Sequence, residues 1–283
     1  MKSRKRKVDL IVISDVHLGT YGCHAKELLL YLKSIKPKTI VLNGDFVDIW
    51  QFSKRYWPKS HMKVIKHLMA LVAKGVKVYY ITGNHDELLR KFKGFKLGSF
   101  AIVNKLLLPL PGGEKAWIFH GDVFDVTMQH SKWLARMGAV GYDALILING
   151  CVNFFSERIL SQGKISLSKK IKGSVKTALK YINDFEQTAA EIGISNGYDY
   201  VICGHIHQPQ NRTITTDDGS IRYLNSGDWI ENLTALEYYE GSWSVYHFDE
   251  NLSGAETMEE EEELDTSKLF NSLLQELSVR KAG

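Results

Sequence analysis

Five short motifs in this chain combine aspartate, histidine, asparagine and glycine, and each follows a short apolar run. They are Asp15-Val16-His17, Gly44-Asp45, Gly83-Asn84-His85-Asp86, His120-Gly121-Asp122 and Gly204-His205-Ile206-His207. Carboxylate, amide and imidazole groups without a thiolate suit Mn²⁺, Fe or Zn²⁺ in a catalytic site rather than a structural zinc site. The motifs therefore predict a metal site, and Mn²⁺ is the ion we expect first.

The number and order of the motifs carry this prediction, rather than any one motif. A lone Asp-x-His is more often a surface turn or the start of a helix than a pair of metal ligands. Here five of the ten histidines fall in the five motifs. Such a ligand set favours two cations about 3.5–4 Å apart, which lower the pKa of a shared water and hold phosphoryl oxygens. The chemistry indicated is phosphoryl transfer.

The apolar runs before the motifs predict the strands of an α/β fold. Runs rich in β-branched residues at 8–13, 39–42 and 77–82 alternate with helix-like stretches at 24–35 and 61–74. Loops at the carboxyl ends of such strands form the usual ligand crevice. We therefore expect the five motifs to converge on one place.

The second half of the chain has a different pattern. Residues 115–119 and 199–203 are predicted to be further strands, and 210–248 a run of antiparallel strands. Residues 126–194 have helical spacing without a strand signal, which predicts a helical insertion that caps the core. The core is then assigned to residues 1–125 and 195–250, and residues 251–283 to an acidic linker and a C-terminal helix.

The insertion contains apolar clusters and lysines that allow two interpretations each. The clusters between Trp133 and Phe155 either form a small core or line an acyl-chain groove and touch the bilayer. The lysines between Lys164 and Lys180 fit a solvated helix face, and Lys169 is the one proposed to contact phosphate. In the tail, the apolar helix face after the glutamate run either docks on the body or contacts a partner.

Charge and cysteine content narrow the class of protein. Residues 254–283 hold eight acids and three bases, which leaves 33 bases and 24 acids in the remaining chain. A basic body suits an anionic substrate or surface. No nucleic-acid-binding motif accompanies the charge, so we expect no nucleic acid partner. Three cysteines without a CxxC pair favour a reducing compartment.

The ordered set D-x-H, G-D, G-N-H-D, H-G-D and G-H-x-H resembles the calcineurin-like metallophosphoesterase superfamily. The resemblance implies a β-sandwich flanked by helices and two divalent metal ions. By position, one ion is held by Asp15, His17, Asp45 and His207, and the other by Asp45, Asn84, His120 and His205. Asn84 and His85 are then also the expected phosphate contacts, and His85 the catalytic residue that steadies the phosphate or protonates the leaving group.

A narrower resemblance is to the UDP-2,3-diacylglucosamine pyrophosphohydrolase branch. It rests on SDVHLGTYGCHA, on Trp57-Pro58, on the sequence from His120 to Asp125 and on the helical insertion. This resemblance implies a cytoplasmic enzyme that cleaves a nucleotide-diphosphate lipid at the membrane face. Where well-characterised members carry arginine, this chain has His85. A soluble phosphodiesterase or phosphatase acting on a polar substrate, and a non-catalytic scaffold, are therefore the alternatives.

Overall fold

The computed structural model describes residues 5–49, 56–124 and 168–249, and for residues 168–178 it describes the backbone alone. Twelve strands and three α-helices are found there, together with a 3₁₀ helix at Glu87–Phe92. They are β1 Arg6–Ile13, α1 Ala25–Ser34, β2 Ile35–Asn43, α2 Lys59–Ala73, β3 Lys77–Ile81, β4 Lys96–Leu97, β5 Phe100–Val103, β6 Lys105–Pro109, β7 Lys115–Phe119, α3 Ser168–Ser195, β8 Tyr200–Cys203, β9 Gln210–Thr216, β10 Gly219–Asn225, β11 Thr234–Tyr239 and β12 Ser242–His247.

The first half of the chain builds most of a seven-stranded sheet, sheet I. Its strand order is β12-β11-β1-β2-β3-β5-β4, with β1, β2, β3 and β5 parallel. The predicted strands and helices of this half are confirmed, although β2 begins at Ile35 rather than at 39. Strands β4 and β5 were not predicted, because they are short and carry little apolar periodicity.

Strands β6 to β10, between Lys105 and Asn225, build sheet II, with strand order β6-β7-β8-β10-β9. The prediction of one antiparallel run over 210–248 is wrong in one respect. Strand β10 is antiparallel to β9 but parallel to β8, and β11 and β12 belong to sheet I. The residues between β10 and β11 therefore cross from one sheet to the other, and sequence periodicity contains no sign of that crossing.

The two sheets pack face to face, with helices on their outer faces. Side chains of β1, β2, β3 and β11 meet those of β7, β8 and β10 in a buried cluster between the sheets. Helices α1 and α2 cover the other face of sheet I. Because both faces of β1 are covered, residues 10–13 form a continuous buried run rather than an alternating one. The predicted β-sandwich flanked by helices is confirmed.

The last part of α3 packs on the outer face of sheet II. Phe185, Ala189 and Ala190 are fully buried with side chains of β8 and β10. Glu186 beside them is also buried and accepts a hydrogen bond from Arg212. The remainder of the predicted insertion, 126–167, and the predicted tail, 251–283, lie outside the described residues. None of the helices within the described ranges is long and apolar enough to cross a membrane.

Glycines let the ends of neighbouring strands approach each other closely. Gly44, at the end of β2, has a φ of 83°, and a Cβ there would lie 2.3 Å from Cγ of His120 at the end of β7. A Cβ at Gly204, after β8, would lie 2.7 Å from Oδ2 of Asp15. The two sheets therefore meet where the predicted ligands are, and only glycine fits there.

We predict that Gly44→Ala destabilises the protein more than Gly75→Ala. Gly75 has a similar φ of 84°, but nothing lies within 4 Å of the added Cβ. Both variants carry the strain of left-handed backbone, and only the first also drives a methyl group into His120. Overpacking of this kind costs about 1–3 kcal/mol. Urea unfolding measures the difference, and equal free energies of unfolding for the two variants would contradict the proposed close approach.

Candidate metal centre

The backbone at the predicted ligands is strained. Seven described residues other than glycine have positive φ angles, and five of them are predicted ligands. These five are Asp15, His17, Asp45, His205 and His207, with φ between 51° and 66°. Left-handed backbone costs an L-residue roughly 1–2 kcal/mol. Strain of this kind collects at functional sites, where the surrounding structure holds it.

Asp15 lies at the end of β1 and joins the two sheets. Its Oδ2 accepts a hydrogen bond from the backbone N–H of His205 at 3.0 Å, which orients the carboxylate. Its Oδ1 lies 3.1 Å from Nε2 of His207. Asp15, His17 and His207 offer ligand atoms that all lie within 4.8 Å of one another. These are three of the four residues implied for the first ion.

Asp45 lies at the end of β2, the strand next to β1. Its Oδ1 accepts the backbone N–H of His85 at 2.8 Å, and its Oδ2 lies 3.2 Å from Nε2 of His120. His120 donates its Nδ1–H to the carbonyl of Asn43 at 2.9 Å, which turns Nε2 toward the carboxylate. Asp45, His120 and His205 form a second group of ligand atoms within 4.8 Å.

Asn84 completes the set of residues implied for the second ion. It lies in the loop after β3, which Asp86 holds in place. The buried Asp86 carboxylate accepts hydrogen bonds from the backbone N–H of Gly83 at 2.6 Å, from Phe46 N–H at 3.1 Å and from the Tyr80 hydroxyl at 2.5 Å. Asp86 therefore positions the two loops rather than facing the ligand atoms.

Several atoms of the site are suited to a cation. Asn84 Oδ1 is buried and has no hydrogen-bond partner within the described residues, while Asp15 Oδ1 and His120 Nε2 are buried with only the ionic contacts to His207 and Asp45 given above. Leaving such an atom buried and unsatisfied costs about 1–3 kcal/mol. All three are donor atoms that Mn²⁺, Fe and Zn²⁺ accept. The residues present thus fit a pair of divalent cations.

The pKa shifts of the Asp15 and Asp45 carboxylates also favour cation binding at the site. Burial would raise the pKa of Asp15, but the neighbouring His207 and His120 hold that pKa at about 2. Burial also opposes the charge of Asp45, and His120 and His17 nevertheless keep the pKa of Asp45 below its ordinary value. Burial lowers and Asp15 raises the pKa of His207, to about 9. Both carboxylates are therefore anionic at neutral pH and are stabilised by nearby positive charge.

Asp48 is a residue of the site that sequence reasoning missed. It is fully buried, and its Oδ2 lies 2.8 Å from Nδ1 of His85 and 3.4 Å from Nδ1 of His17. A carboxylate only accepts, so Nδ1 of His85 carries the proton in this contact. The sequence shows only that Asp48 follows Asp45 by three residues, and this spacing does not by itself indicate contacts with His85 and His17.

The structure brings together Asp15, His17, Asp45, Asn84, His85, His120, His205 and His207 at the carboxyl ends of the strands. His85 joins them through the Asp45 and Asp48 contacts. Lys169 is different. It lies in the first turn of α3, and its side chain is outside the described residues.

A two-sheet α/β sandwich with clustered aspartate and histidine at its strand ends is the architecture of a metal-dependent phosphoesterase. The match to the Calcineurin-like phosphoesterase family covers residues 8–209. The chain belongs to this family, and the prediction of a phosphoester hydrolase is confirmed.

Named relatives match more than four fifths of the chain along nearly their whole own length. A UDP-2,3-diacylglucosamine hydrolase of Aliivibrio fischeri (strain MJ11) is 26% identical in an alignment of 250 positions that covers 84% of this chain and 97% of the relative. The protein of the same name from Blochmanniella pennsylvanica (strain BPEN) is 25% identical, over 82% of this chain and 93% of its own. Among solved structures, a novel archaeal phosphodiesterase is similar with a TM-score of 0.40 and 15% identity, covering 84% of this chain and 98% of its own.

We predict that Asp48→Asn lowers kcat by roughly 10–100-fold, the usual cost of removing a carboxylate that orients a site histidine. The amide is similar in size but carries no negative charge for His85 and His17. The measurement is Mn²⁺-dependent hydrolysis with metal content determined in parallel. Asp218→Asn, in the exposed β9–β10 turn, is the control. Unchanged kcat would show that Asp48 does not position His85, and loss of one ion per chain would make Asp48 a ligand instead.

Proposed function

We propose that this protein hydrolyses the diphosphate of a UDP-linked lipid, of the kind named by UDP-2,3-diacylglucosamine. The observation that carries the proposal is the pair of ligand groups built on Asp15 and Asp45. The relatives' shared name and their coverage of the chain support the choice of substrate. A nucleotide diphosphate also matches the basic body of the chain. The proposal includes a cytoplasmic location against the membrane face, which the free Cys23 and Cys203 support.

In this proposal, Asp15, His17, Asp45 and His207 would hold one ion. Asp45, Asn84, His120 and His205 would hold the other, so Asp45 would contribute to both. Two such ions supply activation of water and charge stabilisation at the phosphoryl group. Mn²⁺ is the ion we propose, and Fe and Zn²⁺ fit the same donors.

His85 is proposed to act on the phosphate or on the leaving group. Its backbone N–H donates to Asp45 and its Nδ1 donates to Asp48, so hydrogen bonds hold both the backbone and the ring of this residue. Its ring lies nearly perpendicular to that of His17, at an interplanar angle of 86°, with the centroids 4.6 Å apart. With Nδ1 donating to Asp48, Nε2 can donate to a non-bridging oxygen or give a proton to the leaving oxygen when the ring carries both protons. Burial opposes that charge, but the hydrogen bond to Asp48 raises the pKa of His85 above its ordinary value.

The test of the function is a substrate panel assayed with Mn²⁺. We expect release of UMP from a UDP-linked diacyl sugar to exceed turnover of bis(4-nitrophenyl) phosphate and of simple phosphomonoesters. Preference for a soluble phosphodiester or monoester would favour the alternative of a polar substrate, which His85 in place of arginine also permits. No metal-dependent hydrolysis of any substrate would leave the scaffold interpretation.

We predict that Asp45→Ala loses most bound metal and nearly all hydrolysis while the protein stays folded. The reason is that Asp45 is the carboxylate assigned to both ions. Metal content per chain, circular dichroism and turnover check the three parts of this prediction. Asp9→Ala, at the partly exposed carboxylate that pairs with Lys38, is the control. Two metals per chain with normal turnover in Asp45→Ala would refute the assignment.

We predict that His85→Ala keeps its metals and loses roughly 10²–10⁴-fold in kcat, the range for a positioned acid or base. If the residue acts as an acid, the loss is large with a poor alkoxide leaving group and small with nitrophenolate. Similar losses on both would indicate electrostatic stabilisation, and His85→Arg would then restore activity, because arginine keeps its charge. Unchanged rates, or loss of the second metal, would show that the proposed role is wrong.

A further inference from the structure

The segment of residues 87–97, here called the 87–97 surface, exposes several large apolar side chains. Leu88 is 48% exposed, Phe92 57%, Phe95 47% and Leu97 55%. These four are among eleven exposed large apolar side chains in the described ranges. Four exposed large apolar side chains within eleven residues mark an interaction site more often than scattered apolar residues do.

Backbone hydrogen bonds hold the 87–97 surface in this form. The N–H of Phe95 donates to the carbonyl of Phe92 at 2.9 Å. The N–H of Gly94 donates to the carbonyl of Ile102 at 3.0 Å, and Ile102 N–H donates back to Phe95 at 3.0 Å. Leu89 turns inward and packs against the buried cluster beneath sheet I. The exposed side chains are therefore presented by a fixed loop bound to β5.

The same segment is strongly basic. Arg90, Lys91, Lys93 and Lys96 face a single acid in the segment, Glu87. Arg90 donates hydrogen bonds to Asp122 and to the carbonyl of Gly83, which lie in the loops of the metal centre. Its charge is therefore not counted with that of the three lysines. The three lysines are exposed and alternate with the exposed phenylalanines and leucines. Their charge complements an anionic partner.

The combination of apolar and basic side chains in the 87–97 surface indicates which kind of partner it would bind. A nucleic acid or a soluble anion would use the lysines but would leave four apolar side chains in water. A neutral protein surface would use the apolar side chains but not the lysines. The interface of an anionic bilayer uses both, because phenylalanine and leucine enter the headgroup region while lysine meets the phosphates.

We propose that the 87–97 surface docks the protein on a bilayer containing anionic phospholipids. The inference rests on the proposed function in one respect: a lipid-linked substrate lies in that bilayer. His85 precedes Glu87 by two residues, and Asp86 between them orients the metal loops. In a protein docked through this surface, the loop that carries His85 would lie beside the bilayer that holds the lipid-linked substrate.

The experiment is co-sedimentation of the full-length, Mn²⁺-loaded protein with vesicles. Phosphatidylcholine vesicles are compared with vesicles that also contain phosphatidylglycerol. We expect binding to the anionic vesicles that weakens as salt is raised, because salt screens the lysines. The triple variant Lys91→Ser/Lys93→Ser/Lys96→Ser should bind about 100-fold more weakly, since each lysine contributes about fivefold near an anionic surface.

A second variant tests the apolar part, and a third serves as a control. Phe92→Ser/Phe95→Ser should lower vesicle binding by about 100-fold, because two aromatic side chains no longer enter the interface. Lys105→Ser/Leu107→Ser removes an exposed lysine and an exposed leucine from β6 of sheet II and should bind as the wild type does. Turnover of bis(4-nitrophenyl) phosphate should be the same in all three variants, which shows that they are folded.

Three results would overturn the proposal. They are absence of binding to anionic vesicles, wild-type binding by both 87–97 variants, and lysine-dependent binding to double-stranded DNA that ignores the phenylalanines. Failure of the proposed function gives a different result. The protein would then bind anionic vesicles through this surface and yet release no UMP from the lipid substrate dispersed in detergent.

Discussion

The structure depends on two buried carboxylates that need positive charge. Asp15 and Asp45 lie at the ends of the neighbouring parallel strands β1 and β2, and both are buried. An unpaired buried carboxylate is costly, so such a pair persists only where hydrogen bonds and cations surround it. Each carboxylate gives one oxygen to a backbone N–H and turns the other toward an imidazole. Divalent cations would complete that arrangement, because their charge would balance the two carboxylates.

The fold supplies this arrangement through convergence of strand ends. Strands β1 and β2 carry the carboxylates from sheet I, while β7 and β8 bring His120, His205 and His207 from sheet II. The loops after β1 and β2 remain hydrogen-bonded to each other beyond the strands, with His17 N–H donating to the Asp45 carbonyl at 2.9 Å. Glycines allow the two sheets to approach. The left-handed backbone at the ligands is the local cost of this convergence.

Much of the fold and of the candidate site could be predicted from the sequence, because each strand and the motif after it are recognised from adjacent residues. Each apolar run before a motif is a strand in the structure. The motifs therefore indicated that all eight site residues lie together at the carboxyl ends of the strands. The sheet exchange between β10 and β11 could not be predicted, because pairing partners are set by packing rather than by periodicity. The orienting role of Asp48 was missed, since a buried carboxylate beside two histidines becomes visible only when the loops after β2 and β3 are in place. The insertion over 126–167 and the Lys169 side chain stay predictions.

The central claim is that Asp45 lies between two cations. Crystals of the protein grown with Mn²⁺ and measured at the manganese absorption edge test it directly. The account predicts two anomalous peaks about 3.5–4 Å apart, the separation usual for two-metal hydrolases. One should touch Asp15, His17 and His207, the other Asn84, His120 and His205, and Asp45 should touch both. A single peak, or a peak held by His17, Asp48 and His85, would contradict the account.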